Sequence, residues 1–236
     1  MFEIDAKHTL KVILLCGGKG ERLYPLTNDI PKPLLKIKDK PILSYIIEHL
    51  AKYDLHDLVI TTGYKADRIS DFIYKNYPES GFKLVDSGDV DIIKRIQDGM
   101  VDDNDFLVLY GDTISNIQID KLVRYHRSND KPATMTVWPF RTQFGIVDLG
   151  KDGQVVGFQE KPKLDKWINI GYFLFSNEFK SVIKAYDSFE VFLKAISEKR
   201  MLNAFKHEGV HITINTLKEL TDAEQNIDRI GVAYDK

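Results

Sequence analysis

Residues 14–33 read LLCGGKGERLYPLTNDIPKP, and this stretch decides the fold. The apolar run 12–15 passes straight into Gly17, Gly18 and Gly20, with Arg22 beyond them and Lys32 held between two prolines. Glycines lack a Cβ, so backbone N–H groups can come close to a phosphate. Arg22 and Lys32 supply positive charge for a polyphosphate. The glycines alone would equally serve a plain turn between strand and helix; the two cations at this spacing favour a phosphate site. A P-loop would close on Lys-Ser/Thr, where this chain has Lys19-Gly20. A dinucleotide fingerprint needs Gly-x-Gly-x-x-Gly opening a helix, and here Pro25 interrupts any helix soon after the glycines.

Outward from the loop, strands and helices alternate. Segments 12–15, 57–62, 82–85 and 106–110 read as strands, and 41–52, 66–77, 91–97 and 119–128 as helices. That alternation predicts an α/β fold with a largely parallel sheet covered on both faces. The second half is richer in strands: 133–139, a hairpin of 144–148 with 154–159, and 168–175. Helical patterns follow at 177–186 and 191–200, then a hairpin of 204–207 with 210–214 that carries His207 and His211, and a helix over 216–227. No Pro-, Gly- or Ser-rich linker and no repeat divides the 236 residues, so one domain is expected.

Bulk properties narrow the function classes. Lys plus Arg is 33 and Asp plus Glu is 35, a net charge of −2, which leaves no basic field for nucleic acid. Tyr64-Lys65 and Lys94-Arg95 read as solvated helix-end charges. The single cysteine, Cys16, excludes an internal disulfide, fits a reducing cytoplasm and reads as buried packing. Residues 1–8 carry three charged side chains, unlike a secretory leader, and no apolar run approaches the roughly 20 residues that span a bilayer. A cytoplasmic protein with no membrane partner is expected. The six histidines show no zinc spacing.

Further residues carry chemistry. Tyr110-Gly111-Asp112 ends an apolar strand, the edge at which open α/β sheets bind ligands. Asp112 can cap a turn there, or hold Mg²⁺, which takes one or two carboxylates plus substrate phosphates. Glu160-Lys161-Pro162 follows a strand, as a solvated pair or as a fixed cation for a phosphate. Asn169-Ile170-Gly171 opens the next strand and can offer an amide to a substrate.

Taken in order, Gly17-Gly18-x-Gly20-x-Arg22, Pro31-Lys32-Pro33, Gly111-Asp112, Phe144-Gly145, Glu160-Lys161-Pro162 and Asn169-x-Gly171 resemble the sugar-1-phosphate nucleotidyltransferases over nearly the whole chain. Val85-Asp86-Ser87-Gly88-Asp89, the segment from Phe144 to Asp148 and that from Gln154 to Pro162 look most like the glucose-1-phosphate cytidylyltransferases. The resemblance implies a Rossmann-like three-layer sandwich on a mixed, mostly parallel sheet. Residues about 1–130 would form the nucleotide-binding half and about 131–236 the acceptor-binding half.

The resemblance also implies roles. Leu15, Cys16, Gly17, Gly18 and Gly20 would bind the nucleotide, with Arg22 over the β- and γ-phosphates and Lys32 at the α-phosphate. Gly111 would touch the nucleoside; Asp86, Ser87 and Gly88 would lie near the base. Lys161 would bind the acceptor phosphate, with Glu160, Asn169 and Gly145 beside it. Asp112 would hold Mg²⁺, and Asn215 stands where the family carries a second metal-ligating aspartate, implying weaker metal affinity. Ile170 replaces a glycine of the family's Asn-Gly-Gly, which would narrow the acceptor subsite. The implied substrates are a nucleoside triphosphate, CTP above dTTP, UTP or GTP, and a phosphorylated small molecule, either a sugar 1-phosphate or a non-sugar phosphate such as phosphoglutamine. Surface-polysaccharide precursor synthesis or modification is the implied setting. A homo-oligomer fits the family, and a non-catalytic nucleotide-binding module is the rival class. A phosphomonoester with a second pKa near ~6 is largely a dianion at neutral pH and needs no general base, in keeping with the absence of a recognisable nucleophile–base pair.

Overall fold

A computed structural model describes residues 10–100 and 104–232; the leader reading of residues 1–8 lies outside them. The strands are β1 (Lys11–Leu15), β2 (Lys36–Ile37), β3 (Lys40–Pro41), β4 (Leu58–Thr62), β5 (Lys83–Asp86), β6 (Phe106–Tyr110), β7 (Thr113–Ser115), β8 (Ala133–Arg141), β9 (Ile146–Leu149), β10 (Val155–Gln159), β11 (Lys163–Phe175), β12 (Leu202–Lys206) and β13 (His211–Thr213). The helices are α1 (Ile42–Ala51), α2 (Ala66–Asn76), α3 (Ile92–Gly99), α4 (Ile119–Arg127), α5 (Lys180–Lys184), α6 (Phe189–Glu198), α7 (Leu217–Asn226) and α8 (Arg229–Val232).

Among the described residues, seven strands form the central sheet in the order β12-β8-β11-β6-β1-β4-β5. β1 lies parallel to β4 and β6, β4 parallel to β5, and β12 parallel to β8, whereas β11 runs antiparallel to both its neighbours. The sheet is thus mixed and mostly parallel. Alternate side chains of a strand face opposite ways, and β1 shows the consequence. Val12 and Leu14 enter a core shared with α1 and α4, while Ile13 and Leu15 enter a second core with Ile93, Ile96, Phe189 and Phe192. A strand buried on both faces has no polar side to alternate, so residues 12–15 and 106–110 read as continuous apolar runs. Three layers result: helices, sheet, helices. Among the described residues no helix is long and apolar enough to cross a membrane.

The reversed direction of β11 is what positions the site. Tyr172 lies opposite Leu109 and Phe175 opposite Phe106, so the N-terminal part of β11 projects past the carboxyl end of β6, beside Gly111 and Asp112. Asn169 is thereby carried to the end of β6, where it bonds Tyr110, and the chain before it runs on beyond that edge.

Several local expectations change. The strand expected at 168–175 begins at Lys163, because β8 pairs with it out to Arg141. Segments 204–207 and 210–214 do not form a hairpin with each other. Residues 202–206 join the sheet beside β8, and residues 211–213 pair with β7. Ile170 is 2% exposed and packs in the core with Tyr172 and Leu174, so its side chain fills the interior and does not narrow a subsite.

Candidate active site

The carboxyl ends of β1 and β6 open on a cavity of about 450 Å³. Leu15, Cys16, Gly17, Gly18, Gly20, Arg22, Lys32, Gly111, Asp112 and Asn215 all line it. Two adjacent parallel strands end there, and the Gly111 N–H donates to the Leu15 carbonyl at 2.9 Å, which clamps the two loops side by side. The glycine loop is followed by a short 3₁₀ turn, Glu21–Leu23, that buries Leu23 and leaves Arg22 at the cavity. Lys32 opens a second 3₁₀ turn next to Pro33, which holds its stem in the protein.

The polar groups converge. Lys32 Nζ donates to Asp112 Oδ2 at 2.5 Å and to Asn215 Oδ1 at 3.1 Å. Arg22 Nη2 donates to the same Asn215 oxygen at 2.8 Å. Two cations, a carboxylate and an amide oxygen therefore meet within one shell. Lys32 is 7% exposed, so its charge is held where water screens it weakly. β7 and β13 bring the acid and the amide together: Asp112 directly precedes β7, Asn215 follows β13, and Thr113 lies opposite Thr213. The Asn215 N–H is held in turn by Glu219 of α7 at 2.6 Å.

The oxygens of Asp112 and Asn215 already share one ammonium, and this donor set suits a small divalent cation completed by phosphate oxygens. Among the described residues there is no cluster of three or more His, Cys, Asp or Glu side chains that could hold a metal by themselves. Burial, reinforced by the Asp112 charge, pushes the Cys16 thiol far above its ordinary value, so it packs and does not react. Burial likewise pushes Tyr110, at the cavity wall, up to about 12.

The remaining sequence-expected residues do not line the cavity. Gly88 is linked to the glycine loop through Arg95, which bonds both carbonyls. Asp86 Oδ1 accepts from the Gly88 N–H at 3.0 Å, and the Ser87 hydroxyl is buried without a partner. Asn169 bonds the Tyr110 hydroxyl, and its side chain also accepts from the Gly171 N–H at 2.8 Å. Glu160 and Lys161 are exposed, with 3.6 Å between their charged atoms. A Cβ at Gly145 would stand 3.3 Å from Glu160 Oε2, so these three residues form one outer group.

Arg95 corrects the sequence reading: it is 7% exposed and lines the cavity. Ile92, Arg95, Ile96 and Gly99 recur at helical spacing, and that period places position 95 on the buried face of α3. Tyr110 and Ile92 also line the wall; an apolar strand end and an apolar helix start gave no signal that separates lining from core.

The family model for nucleotidyl transferases matches residues 11–216. The glucose-1-phosphate cytidylyltransferase of Salmonella typhimurium is 30% identical over 242 residues, covering 89% of this chain and 93% of that protein. The bifunctional protein GlmU of Methanocaldococcus jannaschii is 31% identical over 205 residues, which is 84% of this chain and 46% of that longer protein. Among solved structures, HddC from Yersinia pseudotuberculosis superposes with a TM-score of 0.73 at 24% identity, over 93% of this chain and all (100%) of that one; this likeness is one of fold.

Proposed function

The chain belongs to the nucleotidyl transferase family, and from that premise we propose that it joins CTP to a phosphorylated small molecule, a sugar 1-phosphate first among them, with release of pyrophosphate. One observation carries the reading: Arg22, Lys32, Asp112 and Asn215 meet in a single cavity floored by the glycine loop. The likeness to a cytidylyltransferase over most of both chains supports CTP. In this reading one folded unit takes both substrates, the nucleotide in its first half and the acceptor in its second.

In this reading an acceptor phosphate oxygen attacks the α-phosphorus, one P–O bond forms, and the bond to the β-phosphate breaks as pyrophosphate leaves. The dianionic acceptor has no proton to give up, so the protein's work is positioning and charge stabilisation. Backbone amides of 17–20 hold the triphosphate, Arg22 the β- and γ-phosphates and Lys32 the α-phosphate. Lys161 and Glu160, with Asn169 and Gly145, receive the acceptor. Asp86, Ser87 and Gly88 stand on the base side.

Asp112, with Asn215, would hold Mg²⁺, whose charge neutralises phosphate oxygens when bound. Lys32 and Asp112 are each other's counter-ion in the free protein. With substrate bound, Lys32 would hold the α-phosphate and Asp112 the cation in place of each other.

Pyrophosphate release is to be measured with CTP, UTP, dTTP and GTP, each against glucose 1-phosphate and a panel of other phosphates. CTP-dependent release is the expected result. Preference for another triphosphate overturns the base assignment, and nucleotide binding without turnover under every acceptor overturns the enzyme.

A further inference from the structure

We propose that Arg95 is a positioning residue: it fixes the direction of the amide donors in the glycine loop and locks that loop to the segment 86–90. The inference rests on the reading that the cavity takes a nucleoside triphosphate. Arg95 reaches from α3 into a well between three loops. Its Nη2 donates to Gly88 O at 2.8 Å and to Gly17 O at 3.1 Å, and its Nη1 to Val90 O at 2.6 Å. The well exists because two of its walls have no side chain. A Cβ on Gly17 would lie 2.1 Å from Arg95 Nε, and one on Gly63 would lie 2.4 Å from Gly88 O and 2.9 Å from Arg95 Nη2.

The consequence follows from peptide planarity. In a trans peptide the C=O and the next N–H point in opposite directions. Gly17 O is held by Arg95 and also accepts from the Tyr64 N–H at 3.2 Å. The Gly18 N–H, on the same peptide, is therefore turned away from Arg95, and Gly18 lines the cavity. Two glycines in sequence leave this peptide free to flip once its carbonyl is released. Above the well, Lys19 Nζ meets Asp89 Oδ2 at 2.6 Å, a second tie between the same two segments. Arg95 Nε is buried with no partner, and the residue faces the cavity. Burial pushes the Arg95 guanidinium below its ordinary pKa, and the nearby charges of Asp89, Asp91 and Asp86 offset that only in part.

The test uses the full chain with Mg²⁺, CTP and inorganic tripolyphosphate as probes, followed by calorimetry and by steady-state rates. Arg95→Lys keeps a cation but cannot bridge three carbonyls, and Gly63→Ala pushes on the same latch from outside the cavity. Both are expected to weaken CTP and tripolyphosphate binding at least about tenfold while the acceptor KM stays within about twofold. Added guanidinium is expected to restore part of the loss in Arg95→Ala. Should Arg95→Ala not fold, Arg95→Lys and Gly63→Ala decide. Unchanged probe binding in these two variants, or equal loss for both substrates, overturns the positioning role. Failure of the wild-type chain to bind either probe overturns the nucleotide reading itself.

Discussion

At the scale of single residues, the site turns on an amide, Asn215, where the family resemblance implies a carboxylate. Asn215 Oδ1 accepts from both Arg22 and Lys32, so position 215 faces cations whatever its charge. Converting it to Asp adds a negative charge next to Asp112 and strengthens attraction for a divalent ion. Asn215→Asp is therefore expected to lower the Mg²⁺ concentration for half-maximal rate severalfold, read from rate against metal concentration. An unchanged midpoint would show that position 215 does not reach the metal. Asp112→Asn is expected to cost at least about a hundredfold in kcat, the scale of removing one charge-stabilising group, checked by pyrophosphate release. Most of these positions were legible in the sequence, because glycines, cations and acids near a strand end carry their chemistry on their faces. Arg95 was less so: a charged residue is assigned to the surface by default, and only the spacing 92, 95, 96, 99 argues otherwise. Ile170 misled in the other direction, since a bulky residue next to a site residue faces the core on the opposite side of its strand.

At the scale of elements, the ribbon of β7 and β13 fastens the first half of the chain to the last. Ile114 lies opposite Ile212, both are buried in the larger core, and the acid and the amide sit at the same end of the ribbon. Ile114→Ala removes three methyl(ene) carbons from a packed site and is expected to cost about 2–5 kcal/mol, read from the urea midpoint at constant slope. Because the ribbon sets the spacing of Asp112 and Asn215, the same variant is expected to need more Mg²⁺ for half-maximal rate. A loss of stability with unchanged metal dependence would show that the ribbon supports the fold alone. No local pattern predicts this pairing. Three-residue strands carry too little periodicity, and the partners stand almost a hundred residues apart. The α/β alternation of the first half, in contrast, was plain, because each buried parallel strand is a continuous apolar run between amphipathic helices.

At the scale of the whole molecule, histidines that take no part in the chemistry tie stability to pH. His49 is 3% exposed under the β7 side of the site, and its Nε2 lies 3.0 Å from the Ile117 carbonyl, which makes that nitrogen the donor. Burial pushes its pKa down to about 4, and burial with the neighbouring His207 does the same for His211. Burial also lowers His126 and His207. Unfolded, each imidazole takes up its proton near pH 6.5. Between about pH 6.5 and about pH 4 the unfolded chain therefore binds more protons than the folded one, so stability falls as pH falls through that window. Above the window these groups contribute no slope. Each fully shifted histidine adds about 1.4 kcal/mol of lost stability per pH unit inside it. The thermal midpoint is thus expected to be flat above pH 7 and to drop steeply below pH 6. His49→Gln keeps an N–H for the Ile117 carbonyl but cannot be protonated, and it is expected to reduce the slope by one proton's worth. An equal slope in the variant would show that His49 does not contribute, and would leave the acid sensitivity to His126, His207, His211 and the carboxylates.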